Sequence, residues 1–157
     1  MTVEQYKHFL IHGFNAYVKD YVQGNYTSIR YFDNLVHLYL GNPTEQCGMC
    51  GHCMHQFVAE GNGNIYPCDF YCTDEWLLGN INEVTENFDT LAHSEKATEF
   101  LRESLYVPEE CKKCRYYPLC RGGGCKRSRQ DRNYCESYKG FFEACLPLFR
   151  VFINEKK

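Results

Sequence analysis

Over the first twenty-odd residues the apolar positions keep a helical rhythm: Tyr6, Phe9, Leu10, Phe14, Tyr17, Val18 and Tyr21 recur every three or four places between polar ones. Side chains at that spacing share one face of a helix. Thr2 followed by Gln5 supplies a capping box and Gly24 a stop, so the pattern predicts one amphipathic helix over residues 3–23. The β-branched and aromatic run from Tyr26 to Phe32 predicts a strand, and Asn34 to Leu40 a short apolar helix closed by Gly41-Asn42-Pro43. A helix, a strand and a helix in 46 residues are too little for a domain. They read as the tail of an α/β unit, with Met1 at a cut in a longer protein.

Beyond Cys47 the rhythm changes. Gln56 to Glu60, the turn Gly61-Asn62-Gly63 and Asn64 to Pro67 predict a β-hairpin, because Asn-Gly tolerates the positive φ of a tight turn. That hairpin sets Cys68 and Asp69 at its far end, near the start of the same ribbon. Leu77-Leu78-Gly79-Asn80-Ile81 then leads into a polar helical stretch with Phe88, Leu91, Phe100 and Leu101 as its buried positions, ended by Pro108. A last helix is predicted from Cys135 to about Ile153, burying Tyr138, Phe141, Phe142, Cys145, Leu148, Phe149 and Phe152 and bent or interrupted at Pro147. The fold class expected is α+β: a small cysteine-rich hairpin core with loops, flanked by helices.

Composition narrows the chemistry. The chain has 157 residues, enough for one domain or one domain and a piece of another, and eleven of them are cysteine. An odd number would leave a purely disulfide framework with one thiol over, and the start MTVEQYKHFLIHGF has neither a basic region nor an apolar core of a secretion signal. A reducing cytoplasm is the expected location. The apolar run ACLPLFRVFI is too short to span a bilayer and contains Arg150, so no membrane association is expected. A net charge of −3 gives no general case for nucleic acid, although Lys112, Lys113, Arg115, Arg121, Lys126, Arg127, Arg129 and Arg132 crowd one region.

The cysteines fall into two runs. Cys47-x5-Cys53-x14-Cys68 surrounds the hairpin; Cys111-x2-Cys114-x5-Cys120-x4-Cys125, then Cys135, forms the second. Loop-compatible spacings of this kind let several sulfurs converge on a metal centre. Three plus five makes eight, which divides into two four-thiolate sites only if one cysteine of the second run crosses to the first. Gly122, Gly123 and Gly124 suit such a crossing, since backbone amides there can approach sulfur closely. The neighbouring lysines and arginines would offset the negative charge of the thiolates, or form a solvated face.

This pattern resembles the SPASM domain of radical SAM enzymes, and in its details the anaerobic sulfatase-maturating enzymes. The resemblance is carried by Cys47, Cys53, Gly63 ahead of Cys68, the tetrapeptide Cys68-Asp69-Phe70-Tyr71, the Leu78-Gly79-Asn80-Ile81 step, the run from Cys111 to Cys125, and Cys135-Glu136-Ser137-Tyr138. It covers nearly the whole chain and implies that residues 1–46 are the end of a partial TIM barrel with a linker helix and residues 47–157 the SPASM domain. It implies two auxiliary 4Fe-4S clusters, the first held by Cys47, Cys53, Cys68 and Cys125, the second by Cys111, Cys114, Cys120 and Cys135. The family commonly has three residues between its last two run cysteines; Arg121 to Gly124 makes four. The resemblance also makes Asp69 the general base that deprotonates a sulfatase cysteine or serine while a 5′-deoxyadenosyl radical takes hydrogen from its Cβ, giving formylglycine. The leftover electron would pass through a cluster to a protein acceptor.

The radical-generating motif Cys-x3-Cys-x2-Cys is not in this sequence: Cys68 and Cys72 have the first spacing, but Glu75 occupies the next required place. S-adenosylmethionine would belong to a preceding domain, and the chain alone is expected to be catalytically silent. Cys50 stands between two ligands as a substitute for one of them; Cys72 reads as a partly buried free thiol and Cys145 as core. His52 and His55 flank Cys53 and are expected to serve its loop rather than bind metal. Two other readings stay open: a structural zinc module, for which two four-cysteine sites also suffice, or the SPASM domain of a different peptide-modifying radical enzyme. A basic zinc module that binds nucleic acid through Lys112 to Arg132 is disfavoured by the acidic remainder of the chain.

Overall fold

A computed structural model describes residues 1–83, 88–131 and 133–153. The expected burial of Phe88 and the charge of Arg132 fall outside the described side chains. The chain forms two compact units, one of Met1–Gly51 with Val107–Lys157 and one of His52–Tyr106.

The first unit is helical. α1 spans Val3–Val22, with Thr2 as its cap: the Gln5 amide donates to Thr2 Oγ1 at 3.2 Å and the Thr2 amide to Gln5 Oε1 at 2.8 Å. The strand expected over Tyr26 to Phe32 does not form. Residues 26–29 are irregular and α2 runs Arg30–Tyr39. Two forces override the β-propensity of the run. Asp33 accepts hydroxyls from Ser28 (2.5 Å), Tyr26 (3.2 Å) and, across from α1, Tyr17 (2.7 Å), which ties residues 26–28 back onto the helix start. Phe32, Leu35 and Val36 recur at helical spacing and are buried. The predicted αβα piece is therefore two helices joined by an irregular link.

α8 spans Cys135–Cys145 and continues as a tighter 3-10 turn over Leu146–Phe152, the change falling at Pro147, which lacks the amide for an α-helical bond. α1 and α8 pack against each other, pinned where Ser137 Oγ donates to the Val3 carbonyl at 2.6 Å. Their shared core is aromatic. Phe14 is stacked on Phe149 (centroids 4.5 Å apart) and meets Phe141 and Phe32 edge-on at 5.6 and 5.3 Å. Among the described residues five more α-helices lie between α2 and α8, two of them in the second unit. Those in the first unit are α5 (Glu109–Lys112), α6 (Tyr117–Cys120) and α7 (Lys126–Asp131).

The second unit carries the only strands among the described residues. β1 (Val58–Ala59) and β2 (Asn64–Tyr66) pair antiparallel as the predicted hairpin, and β3 (Gly79–Asn80) adds a third strand beside β2 that the sequence pattern did not announce. Asn80 explains its place: its amide donates to the Asn62 carbonyl and to Asn64 Oδ1, both at 3.0 Å, so a side chain completes the short ladder. The polar helical stretch is two helices, α3 (Phe88–Ala92) and α4 (Glu95–Ser104), the second capped by Ser94. Phe100 of α4 meets Tyr71 and Trp76 edge-on at 5.1 and 5.2 Å, and this trio is the unit's small core. No described helix is long and apolar enough to cross a membrane.

Phe14 touches four aromatic rings and is fully buried. Phe14→Ala is expected to cost about 3–5 kcal/mol in urea unfolding of the first unit; a loss under about 1 kcal/mol would show that this packing is not its core.

Candidate metal centre

Asn34 sets the approach to the first cysteine run. Buried in α2, its Oδ1 accepts the Glu45 and Gln46 amides at 2.9 and 3.1 Å, and its Nδ2 donates to the Arg30 carbonyl at 2.8 Å. The chain then enters a 3-10 turn at Cys47–Met49, with the Cys50 amide on the Cys47 carbonyl at 3.1 Å and Met49 sunk into the helical core.

The glycine loop between Cys120 and Cys125 comes down on that turn. Arg121, Gly122, Gly123 and Gly124 all have positive φ (50°, 71°, 89° and 98°), forming one left-handed turn closed by the Gly124 amide on the Arg121 carbonyl at 3.2 Å. A Cβ on Gly124 would fall inside the Gly48 carbonyl, so the backbones beside Cys125 and Cys47 are in direct contact. The Cys125 sulfur lies 3.5 Å from Ser128 Oγ.

In the same unit the Cys120 thiol lies within electrostatic reach of Cys135 and of Cys111. Burial pushes the Cys120 thiol up to about 11; the amides of Gly123 and Gly122 donate to its sulfur and oppose that rise, while the charges of Cys135 and Cys111 add to it. A Cβ on Gly122 would sit 3.6 Å from the Cys111 sulfur. Lys139 has its pKa raised first by its hydrogen bond to Glu136 and then by Cys135, with a smaller contribution from Cys114. Tyr138 is also held above its ordinary range, by burial, by its bond to Tyr6, and by Cys120 and Cys125, so this phenol faces a cysteine of each expected set.

In the second unit, Ser104 Oγ accepts the Cys53 amide at 2.9 Å, fixing that cysteine to the end of α4. The Gln56 amide donates to the Pro67 carbonyl at 2.9 Å, which brings the ribbon's end at Cys68 back to its start. Burial raises the Cys68 thiol to about 11, against a Phe70 amide that lowers it, with further rises from Asp69 and Cys53. The Cys68 sulfur donates to Asp69 Oδ1 at 3.3 Å, and the Asp69 side chain is exposed at the start of a 3-10 turn over Asp69–Tyr71.

The remaining candidates have local structural duties. His55 bonds the Ala97 carbonyl at 3.2 Å and stacks on Phe57, and His52 is exposed. Cys50 donates to the Gln46 carbonyl at 3.5 Å and lies 3.4 Å from the Thr44 hydroxyl, and Cys72 donates weakly to the Cys68 carbonyl at 3.8 Å. The basic region is not a free cationic face: Lys126 and Arg129 are each 5% exposed, Lys112 pairs with Glu109, and Arg115 lies over the Tyr116 ring. Among the described residues no three His, Cys, Asp or Glu side chains gather closely enough to form a single-ion site. The donor chemistry fits an iron–sulfur cluster: thiols alone, with the buried Arg129 stem beside Gly122 near the Cys111 sulfur and glycine amides donating to the Cys120 sulfur.

Residues 50–115 match the family model of SPASM, an iron–sulfur cluster-binding domain. Match and thiol arrangement together define the class, a cysteine-rich domain that binds iron–sulfur clusters. A cysteine-type anaerobic sulfatase-maturating enzyme of Clostridium perfringens is 44% identical over 151 residues, covering 92% of this chain and 40% of that protein. A serine-type anaerobic sulfatase-maturating enzyme of Bacteroides thetaiotaomicron is 32% identical over 157 residues, covering 94% of this chain and 37% of that protein. The solved structure of native anSMEcpe with bound AdoMet and Cp18Cys peptide superposes with a TM-score of 0.87 at 43% identity, covering 99% of this chain and 45% of that one. The chain belongs to the anaerobic sulfatase-maturating enzyme family and spans about 40% of the length of the curated relatives it matches.

Cys145 lies in the hydrophobic core of the first unit. It is 1% exposed and burial raises its thiol to about 11. A thiol at that value carries about a hundredfold less thiolate at pH 8 than one near 9, so in metal-free folded protein Cys145 is expected to resist iodoacetamide until the pH nears 11 or the chain unfolds. Native-state labelling at pH 8 as fast as that of Cys114 would contradict its place in the core.

Proposed function

We propose that this chain is the auxiliary-cluster region of a radical SAM enzyme that oxidises a cysteine or serine of a sulfatase to formylglycine. The observation that carries the reading is the left-handed glycine turn, which in one unit directs amides at the Cys120 sulfur and meets the Cys47 turn backbone to backbone. The relatives point the same way, and the cysteine-type ones are the more similar. Residues 1–46 would then close the partial barrel and link it to the SPASM domain at 47–157. Cys47, Cys53, Cys68 and Cys125 would hold one 4Fe-4S cluster, and Cys111, Cys114, Cys120 and Cys135 the other. S-adenosylmethionine is bound and cleaved by a part of the longer protein outside this chain, in the cytoplasm.

When bound, the clusters supply one-electron transfer, carrying away the electron released as the substrate is oxidised towards an aldehyde. The chain's own residues prepare for that. Gly122 and Gly123 donate to the Cys120 sulfur, which favours its thiolate, and the buried Arg129, whose stem lies beside Gly122 near the Cys111 sulfur, would offset part of the charge of thiolates gathered there. Asp69 is the base: its carboxylate is exposed, and a carboxylate takes a proton from a thiol or hydroxyl held in hydrogen-bond range. As a ligand thiolate Cys68 would no longer donate its proton to Asp69 Oδ1.

Anaerobically purified protein is expected to be brown and to contain iron with equimolar acid-labile sulfide; zinc without sulfide would replace this reading with the structural-zinc one. In the full enzyme, Asp69→Asn is expected to lower formylglycine formation by about a hundredfold or more while iron content stays at the wild-type level. Undiminished product would remove Asp69 from the mechanism.

A further inference from the structure

Among the described residues, Arg121 alone adopts a positive φ without being glycine (φ 50°, ψ 32°). That conformation is unfavourable for an L side chain and free for glycine, and three glycines follow it. Glycine would suit the backbone at 121 better than arginine does. Something about the side chain must offset the strain.

The side chain reaches across to the first cysteine loop. Arg121 Nη1 donates to the Cys50 carbonyl at 2.9 Å, while Nε points back to the Pro118 carbonyl at 3.5 Å. Its stem lies along Gly51, where a Cβ would stand 2.8 Å from Arg121 Cδ. Gly51 itself has φ 82°, so the loop turns away at the point where the arginine crosses it. On the other side of the same turn Gly124 abuts Gly48. The loop from Cys47 to Gly51 is thus held at both ends by the left-handed turn, by bare backbone at one and by a guanidinium at the other.

We infer that Arg121 is a positioning residue: it latches the Cys47–Gly51 loop to the glycine turn in the metal-free protein, so that the chain at Cys47 and at Cys125 is set before a cluster arrives, and its fixed positive charge would then act on a cluster held by those cysteines. The latch itself rests on contacts within one unit. The effect on the cluster rests on the function proposed above.

Amide hydrogen exchange at Met49 and Cys50 in the metal-free full chain reads the latch without any cluster, since these amides close the turn onto Gln46 and Cys47. Arg121→Gly suits the backbone yet removes the guanidinium, and is expected to exchange both amides about tenfold faster, with Arg121→Lys between it and the wild type. Exchange in Arg121→Gly equal to wild type overturns the latch. Should that variant lose its far-ultraviolet helical signal, Arg121→Asn, which also tolerates the left-handed region, is read by the same criterion. After reconstitution with iron and sulfide, the midpoint potential of the Cys47-containing cluster should fall in Arg121→Gly and return towards wild type in Arg121→Lys. An unmoved potential overturns the charge effect. A wild-type chain that takes up zinc but no iron and sulfide ends the cluster reading and leaves the exchange result standing, so the two failures are told apart.

Discussion

Gly124 lies against the carbonyl of Gly48 with no room for a single added carbon. That backbone contact joins the two cysteine runs within the helical unit, and much of the unit can be read as support for it. α1 and α8 form an aromatic clamp around Phe14, Phe141 and Phe149; Met49, in the turn that Gly124 touches, is buried in the same core. Asn34 fixes the entry to that turn from α2 by accepting two successive amides. A metal-binding loop has little apolar surface of its own, so its geometry must be borrowed from neighbouring packing and from satisfied backbone groups.

The left-handed turn has a second effect. Four consecutive positive φ values reverse the chain within one turn and point the amides of Gly122 and Gly123 at the Cys120 sulfur. Such bonds stabilise a thiolate, and around a cluster they raise its reduction potential. The same four residues thus face the Cys47 turn on one side and Cys120 on the other.

What the sequence made legible was whatever repeats or is chemically marked. The 3–23 helix, its capping box, the Asn-Gly hairpin and the break at Pro147 all follow from local rules, and the cysteine spacing pointed to a cluster domain before any coordinate. The strand expected at Tyr26 to Phe32 failed because β-propensity describes a pleated, half-buried surface, whereas Asp33 collects hydroxyls around a helix start. β3 is two residues long and depends on the Asn80 amide, too brief to leave a period. Ser104 left no signal, since its partner at Cys53 is 51 residues away. Asn34 did leave one, as a polar residue on the apolar side of a short helix, and Arg121 another, as the odd residue in a glycine run.

Gly124→Ala puts one carbon where the Gly48 carbonyl stands and leaves every cysteine in place. The decisive measurement is the iron and acid-labile sulfide content of this variant beside the wild type, both purified anaerobically, with helix content checked by circular dichroism. If the Gly124–Gly48 contact sets Cys125 for the first of the two proposed clusters, the folded variant loses about half of its iron and sulfide, keeping the cluster proposed for Cys111, Cys114, Cys120 and Cys135. Full wild-type iron and sulfide in folded Gly124→Ala would contradict the central role given to this contact.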